Sequence, residues 1–133
     1  MKQTTLHQKK QRILIVEDEG DMCLLLNIML KGKETEVDHV KTIAAAEEYL
    51  EKENPSIVIL DNKLPDGFGV DMISLIRKKY PSIKIIMISG FAASVKDVAL
   101  YNGADVFLEK PFTKEQLYNA VKELTGEVAA GTV

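Results

Sequence analysis

Five short apolar runs, separated by stretches of helical periodicity, constrain this chain more than any other feature. Residues 12–16 (RILIV), 57–60, 83–88 and 105–109 (DVFLE) are rich in β-branched and other apolar side chains and too short for helices, and 36–40 (EVDHV) is a weaker strand of the same length. Residues 21–31 (DMCLLLNIMLK), 42–52, 70–80, 94–101 and 113–124 carry helical spacing instead. The helix signals agree with that division. Thr42 is the expected N-cap of the second helix, and Asn54-Pro55 ends it. Pro81 closes the third helix, and Asn102-Gly103 stops the fourth. Thr113-Lys114-Glu115-Gln116 opens the fifth with a capping box.

Strands that alternate with helices predict an α/β architecture with a parallel sheet. The central runs are continuously apolar, as strands covered on both faces must be. No internal repeat and no second domain interrupts the pattern. The expected organisation is a basic N-terminal arm over 1–11, one doubly wound (βα)5 domain over 12–125, and a tail or start of a linker over 126–133.

Composition narrows the function classes. A chain of 133 residues, 46% hydrophobic and 28% charged, is long enough for one packed core and too apolar for a disordered chain. A net charge of −3 leaves no whole-domain footprint for nucleic acid. Lys2, Lys9, Lys10 and Arg12 give the first twelve residues +4 against −7 for the remainder. That arm reads first as a solvated terminus, with a phosphate backbone or an acidic partner as its other use. No run approaches the roughly 20 apolar residues of a membrane span, and the N-terminus lacks a secretory signal's apolar core. Cys23 has no disulfide partner in the chain and sits in an apolar helical pattern, where a core role is expected. A cytoplasmic location follows as the simplest expectation.

In an open parallel sheet, ligands bind beyond the carboxyl ends of the strands. The residues standing there are Glu17-Asp18-Glu19 after the first run, Asp61 after the third, Ser89-Gly90 after the fourth and Lys110-Pro111 after the fifth. Each has a plain structural use: an acidic turn capping the next helix, a turn aspartate, a turn serine, a surface lysine. Together they describe a site. Crowded carboxylates repel one another unless a cation neutralises them, and hard oxygen ligands suit Mg²⁺. A lysine adds a compact positive charge for a phosphoryl oxygen, and an aspartate can accept a phosphoryl group as an acyl phosphate.

At these residues the sequence resembles the receiver domain of two-component response regulators. The motifs stand in order: the acidic pair Glu17-Asp18, Asp61 within LDNKLPDG, Ser89-Gly90 and Lys110-Pro111-Phe112. The spacings fit as well, with 43 residues from Asp18 to Asp61, 28 to Ser89 and 21 to Lys110. The resemblance implies a flavodoxin-like sheet in the order 2-1-3-4-5. It implies that Asp61 is phosphorylated by a histidine kinase or histidine phosphotransfer protein, with Mg²⁺ held by Asp18, Asp61 and the Lys63 backbone carbonyl. Glu17 would act through a metal-bound water. Lys110 and Ser89 would contact phosphoryl oxygens, and the Asn62 and Gly90 amides would complete the cradle. Ser89 and Phe107 would form the switch, and Lys110-Pro111 would be cis. A downstream protein or output domain would read the face from Ser94 to Leu124, and a homodimer is compatible with this scheme. The domain would catalyse its own phosphoryl transfer and slow autodephosphorylation, and no other reaction.

Four positions distinguish this chain. Glu17 stands where the family commonly has aspartate, and its extra methylene is expected to push the carboxylate outward. Phe107 has no phenolic hydroxyl, so the switch works through packing alone. Lys63 and Phe91 flank the expected phosphate and are expected to set the lifetime of the acyl phosphate. Two other classes compete. A haloacid-dehalogenase-type hydrolase would need an acid two residues after Asp61, where Lys63 stands. A docking scaffold that works without phosphorylation would have no need of the acceptor, the acidic pair and the lysine, all of which are present.

Overall fold

Residues 11–32, 34–90 and 92–126 are described by the computed structural model, apart from the side chains of 92–94. Almost all of the basic arm, Phe91 and the tail past Gly126 lie outside the described residues. Five strands form one parallel sheet: β1 (Gln11–Val16), β2 (Thr35–Val40), β3 (Ile57–Asp61), β4 (Lys84–Ser89) and β5 (Val106–Glu109). Their order across the sheet is 2-1-3-4-5, as expected. Five helices alternate with them: α1 (Gly20–Leu30), α2 (Ile43–Lys52), α3 (Val70–Lys79), α4 (Ala92–Asn102) and α5 (Lys114–Thr125). Among the described residues no helix is long and apolar enough to cross a membrane.

Successive strand side chains point to opposite faces, and this splits the core in two. Leu14, Val16, Val58, Leu60, Ile85 and Met87 pack with residues of α2, α3 and α4, including Leu50, Ile73, Ile76 and Ala99. Ile13, Ile15, Ile57, Ile59, Ile86 and Ile88 pack with Leu26 and Leu30 of α1 and with Leu117 and Ala120 of α5. Each such buried aliphatic contributes about 1.5–3 kcal/mol relative to exposure. All five residues of β3 are buried, Asp61 included. The central strands are therefore held from both sides.

The local helix signals are realised as hydrogen bonds. Thr42 Oγ1 accepts from Ala45 N at 3.0 Å. Thr113 Oγ1 accepts from Gln116 N at 3.0 Å, and Gln116 Oε1 accepts from Thr113 N at 2.8 Å. Gly103, just past α4, has φ 117°, a conformation that favours glycine. Helix α4 begins earlier than its periodicity suggests, since Ala92 and Ala93 are good helix formers. Strands β3 and β4 each run one residue further than their apolar runs. Asp61 and Ser89 thus end strands rather than follow them.

One side chain ties together the edge of the sheet opposite the strand ends. Arg77 of α3 donates to Gly103 O through Nε and Nη2 at 3.2 and 2.7 Å, and to Pro81 O and Ile83 O through Nη1 at 3.1 and 2.7 Å. Its Nη2 also meets Asp105 Oδ2 at 2.7 Å, and that oxygen accepts from Ile85 N at 2.8 Å. The guanidinium fork serves α3, the start of β4 and the loop before β5 at once, which an ammonium cannot do. Arg77→Lys should therefore lower the unfolding free energy by about 2–4 kcal/mol. Urea unfolding checks this, and a midpoint equal to the parent's contradicts it.

Candidate functional site

The register of the sheet stacks the polar strand ends side by side. Val16 pairs with Leu60, so Glu17 and Asp61 stand level on neighbouring strands. Asp61 pairs with Ile88 and Ser89 pairs with Glu109, which sets Ser89 one step and Lys110 two steps beyond the level of Asp61. The ladder continues past β1 and β5, because Glu17 N donates to Val40 O at 3.0 Å and Lys110 N to Ser89 O at 2.9 Å. By strand alternation Glu17 follows Ile13 and Ile15, and Asp61 follows Ile57 and Ile59, on the α1/α5 face. Ser89 follows Ile85 and Met87 on the other face, where Phe107 also packs.

Lys110 Nζ lies 3.2 Å from Glu17 Oε1 and 3.2 Å from Asp61 Oδ1. The second Glu17 oxygen accepts from Glu19 N at 3.1 Å. Glu17, Asp18 and Asp61 each present a carboxylate oxygen, and the three atoms lie within 4.8 Å of one another. Asp18 is exposed, whereas Glu17 and Asp61 are 1% and 5% exposed. A cavity of about 460 Å³ is lined by these acids together with Glu19, Lys63, Ser89, Gly90 and Lys110. Four acids against two lysines line this cavity, so acidic side chains outnumber basic ones. All the donors are hard oxygens, so the set suits a hard divalent cation.

Electrostatics record the crowding. Burial, and then the charge of Asp61, push the Glu17 carboxyl up to about 7, with the Glu19 amide and Lys110 offsetting only part of it. Burial acts against the Lys110 ammonium, but Asp61 and then Glu17 outweigh it, and its pKa stands above the ordinary value. A second hollow, of about 430 Å³, lies between β2 and α2. There Arg12 is paired with Glu36 and Glu53, and Tyr49 donates to Asp38. Its polar groups are taken up by each other.

The loop after β3 is unusually tight. Asn62 O accepts from Gly69 N at 2.7 Å, and Asn62 Oδ1 accepts from Val70 N at 3.0 Å, so one residue closes the loop and caps α3. Lys63–Leu64 and Gly67–Phe68 pair as a two-residue antiparallel ladder. A Cβ on Gly69 would stand 2.1 Å from the Asp61 carbonyl oxygen, so no larger residue fits this approach. The structure thus brings together Glu17, Asp18, Asp61, Lys63, Ser89, Gly90 and Lys110, with Asn62 and Phe107 alongside.

Glu17 departs from the expected outward carboxylate, since its side chain is buried. The longer side chain does not carry its carboxylate outward, because Lys110 and the Glu19 amide hold it inside. Nor does Glu19, at the N-cap of α1, make a side-chain capping bond. Lys110-Pro111 is cis, and Cys23 is buried with its Sγ donating to Glu17 O at 3.1 Å. The double use of Asn62 and the close approach at Gly69 were not anticipated. An Asx residue next to a glycine-rich turn is the only signal that pointed there.

A sequence model described as the response regulator receiver domain matches residues 13–122. The transcriptional regulatory protein BasR of Escherichia coli K12 is 38% identical over 117 residues, covering 85% of this chain and 51% of that protein. The chain therefore spans about half of that relative's length. Among solved structures, the response regulator TrrA of Thermotoga maritima, in complex with Mg²⁺ and BeF, is 31% identical with a TM-score of 0.78. That match covers 86% of this chain and 98% of TrrA. The beryllofluoride-activated NtrC4 receiver domain dimer is 32% identical with a TM-score of 0.81, covering 87% and 97% of the two chains.

The buried Glu17 carboxyl gives a signed pH effect in buffer free of divalent cations. Its folded pKa of about 7 lies above the ordinary 4.5, so the folded state holds this proton more tightly than the unfolded state does. The contribution of Glu17 to stability is therefore present below 4.5 and lost as pH rises toward 7. Glu17→Gln removes that dependence. The stability of the parent relative to the variant should fall across this window, and a gap that stays flat with pH contradicts the assignment.

Proposed function

The chain belongs to the response regulator receiver domain family, and from that premise we propose that Asp61 is the side chain through which it works as a phosphoacceptor switch. The observation that carries this reading is the double ion pair of Lys110, 3.2 Å from both Asp61 and Glu17, beside three clustered carboxylates. A buried aspartate at the end of a fully buried strand is a nucleophile on a rigid mount. Phosphoryl transfer asks little more of a protein than such placement and charge stabilisation.

In the proposed reaction an Asp61 carboxylate oxygen bonds to phosphorus as the P–N bond of a donor phosphohistidine breaks. The departing imidazole takes the electron pair and then a proton. Lys110 gives up its pairing with Asp61 and meets a phosphoryl oxygen, while Glu17 keeps it near the sheet edge. The Ser89 hydroxyl contacts a second oxygen, and the Asn62 and Gly90 amides complete the cradle. Mg²⁺ would be held by Asp18, Asp61 and the Lys63 carbonyl, with Glu17 acting through a bound water, and would neutralise phosphoryl charge.

The partner upstream is a histidine kinase or phosphotransfer protein. Movement of Ser89 toward the phosphate accompanies repacking of Phe107, which lies on the same face of the sheet and has no hydroxyl to anchor it. That change is read by a protein or output domain on the face from Ser94 to Leu124, and self-association there is part of the reading. Residues 12–125 are the functional unit. Slow autodephosphorylation resets it, and Lys63, which lines the cavity, is the described residue set to tune its rate. A cytoplasmic location goes with a free, buried Cys23.

Incubation with a small phosphodonor should label the protein only when Mg²⁺ is present, and Asp61→Asn should abolish the label. Lys110→Met should slow labelling by about 100-fold. Intact protein that takes no label would favour a scaffold that works without phosphorylation. Lys63→Ala should alter the dephosphorylation rate, and a rate equal to the parent's removes Lys63 from the account of lifetime.

A further inference from the structure

The loop that follows Asp61 is tethered to a second helix by a carboxylate that the reading above does not use. Asp66 Oδ1 accepts from Ile43 N at 2.9 Å, and its Oδ2 accepts from Ala44 N at 3.0 Å. These are the first two amides of α2, which have no partner inside the helix. Thr42 already takes the third, at Ala45 N. A loop side chain more than twenty residues away in sequence thus completes the cap, with its charge at the positive end of the helix dipole. The Asp66 carboxyl sits below its ordinary pKa, first through Ile43 N and then Ala44 N.

The contact is close on every side. Gly67 has φ 151°, and a Cβ there would meet Ile43 Cδ1 at 3.0 Å. The tip of the loop therefore rests directly on the first residue of α2. At its base the loop is closed by Asn62 and presses on the Asp61 carbonyl through Gly69. Between base and tip lies the two-residue ladder that sets the direction of the Lys63 backbone. So short a hairpin is marginal by itself. Its geometry needs both ends held.

We propose that Asp66 is a positioning residue for the Asp61 site: by capping α2 from the loop, it fixes the Lys63 carbonyl at the carboxyl edge of the sheet. The inference rests on the proposed role of that carbonyl as a ligand. Asp66 touches neither phosphate nor cation. It acts through the backbone of residues 63–68.

Thr42→Ala supplies the control, since it uncaps the same helix end without touching the loop. Asp66→Ala and Thr42→Ala should both lower Tm by a few degrees. Asp66→Ala alone should weaken Mg²⁺ binding, measured calorimetrically with the metal alone, by about 10-fold. Asp66→Asn keeps one acceptor and should fall between it and the parent. In metal-free protein, the Asn62 and Lys63 amide resonances should shift in Asp66→Ala and stay put in Thr42→Ala. Equal Mg²⁺ affinity in parent and Asp66→Ala, or equal weakening in both variants, overturns the inference. A parent that binds no Mg²⁺ and takes no phosphoryl group overturns the reading beneath it instead.

Discussion

Two carboxylates share one ammonium at the carboxyl edge of the sheet, and the rest of the site depends on that arrangement. Glu17 and Asp61 come from neighbouring strands at the same level and are almost fully shielded from water. Burial and mutual repulsion push Glu17 toward holding a proton, and Lys110 between the two acids offsets part of that push. The lysine reaches across from β5, two strands away from β3, and its placement needs the sheet order 2-1-3-4-5. It satisfies part of the negative charge and leaves the remainder, with the exposed Asp18, as a place for a divalent cation.

Such a cluster stays in place only if its mounts are stiff. Strand β3 has no exposed residue, and the side chains on its two faces are locked into separate cores. The loop after it is closed by Asn62 and has no room for a Cβ at Gly69. Ser89 and Phe107 lie on the opposite face of the sheet from Glu17 and Asp61.

What was legible in the sequence was local. Thr42, the Thr113–Gln116 pair and Gly103 act over three or four residues, so their residue types alone announce caps and stops. The polar strand ends were legible because a parallel sheet brings all its carboxyl ends to one edge. Contacts between distant segments were not. Asp66 meets α2 more than twenty residues back, and Arg77 reaches Gly103 and Asp105 more than twenty residues on, with nothing in either neighbourhood to mark the partner. The burial of Glu17 was misjudged for the same reason. Side-chain length suggested an outward carboxylate, whereas its position is set by a lysine 93 residues further along the chain.

Chemical identification of the phosphorylated side chain tests the central claim most directly. The protein is treated with a small acyl phosphate donor and Mg²⁺, reduced with borohydride to convert any aspartyl phosphate to homoserine, and mapped by peptide mass spectrometry. The account predicts conversion at Asp61, and loss of that conversion when Mg²⁺ is withheld. Conversion at Asp18 or another carboxylate, or none at all in folded protein, would contradict it.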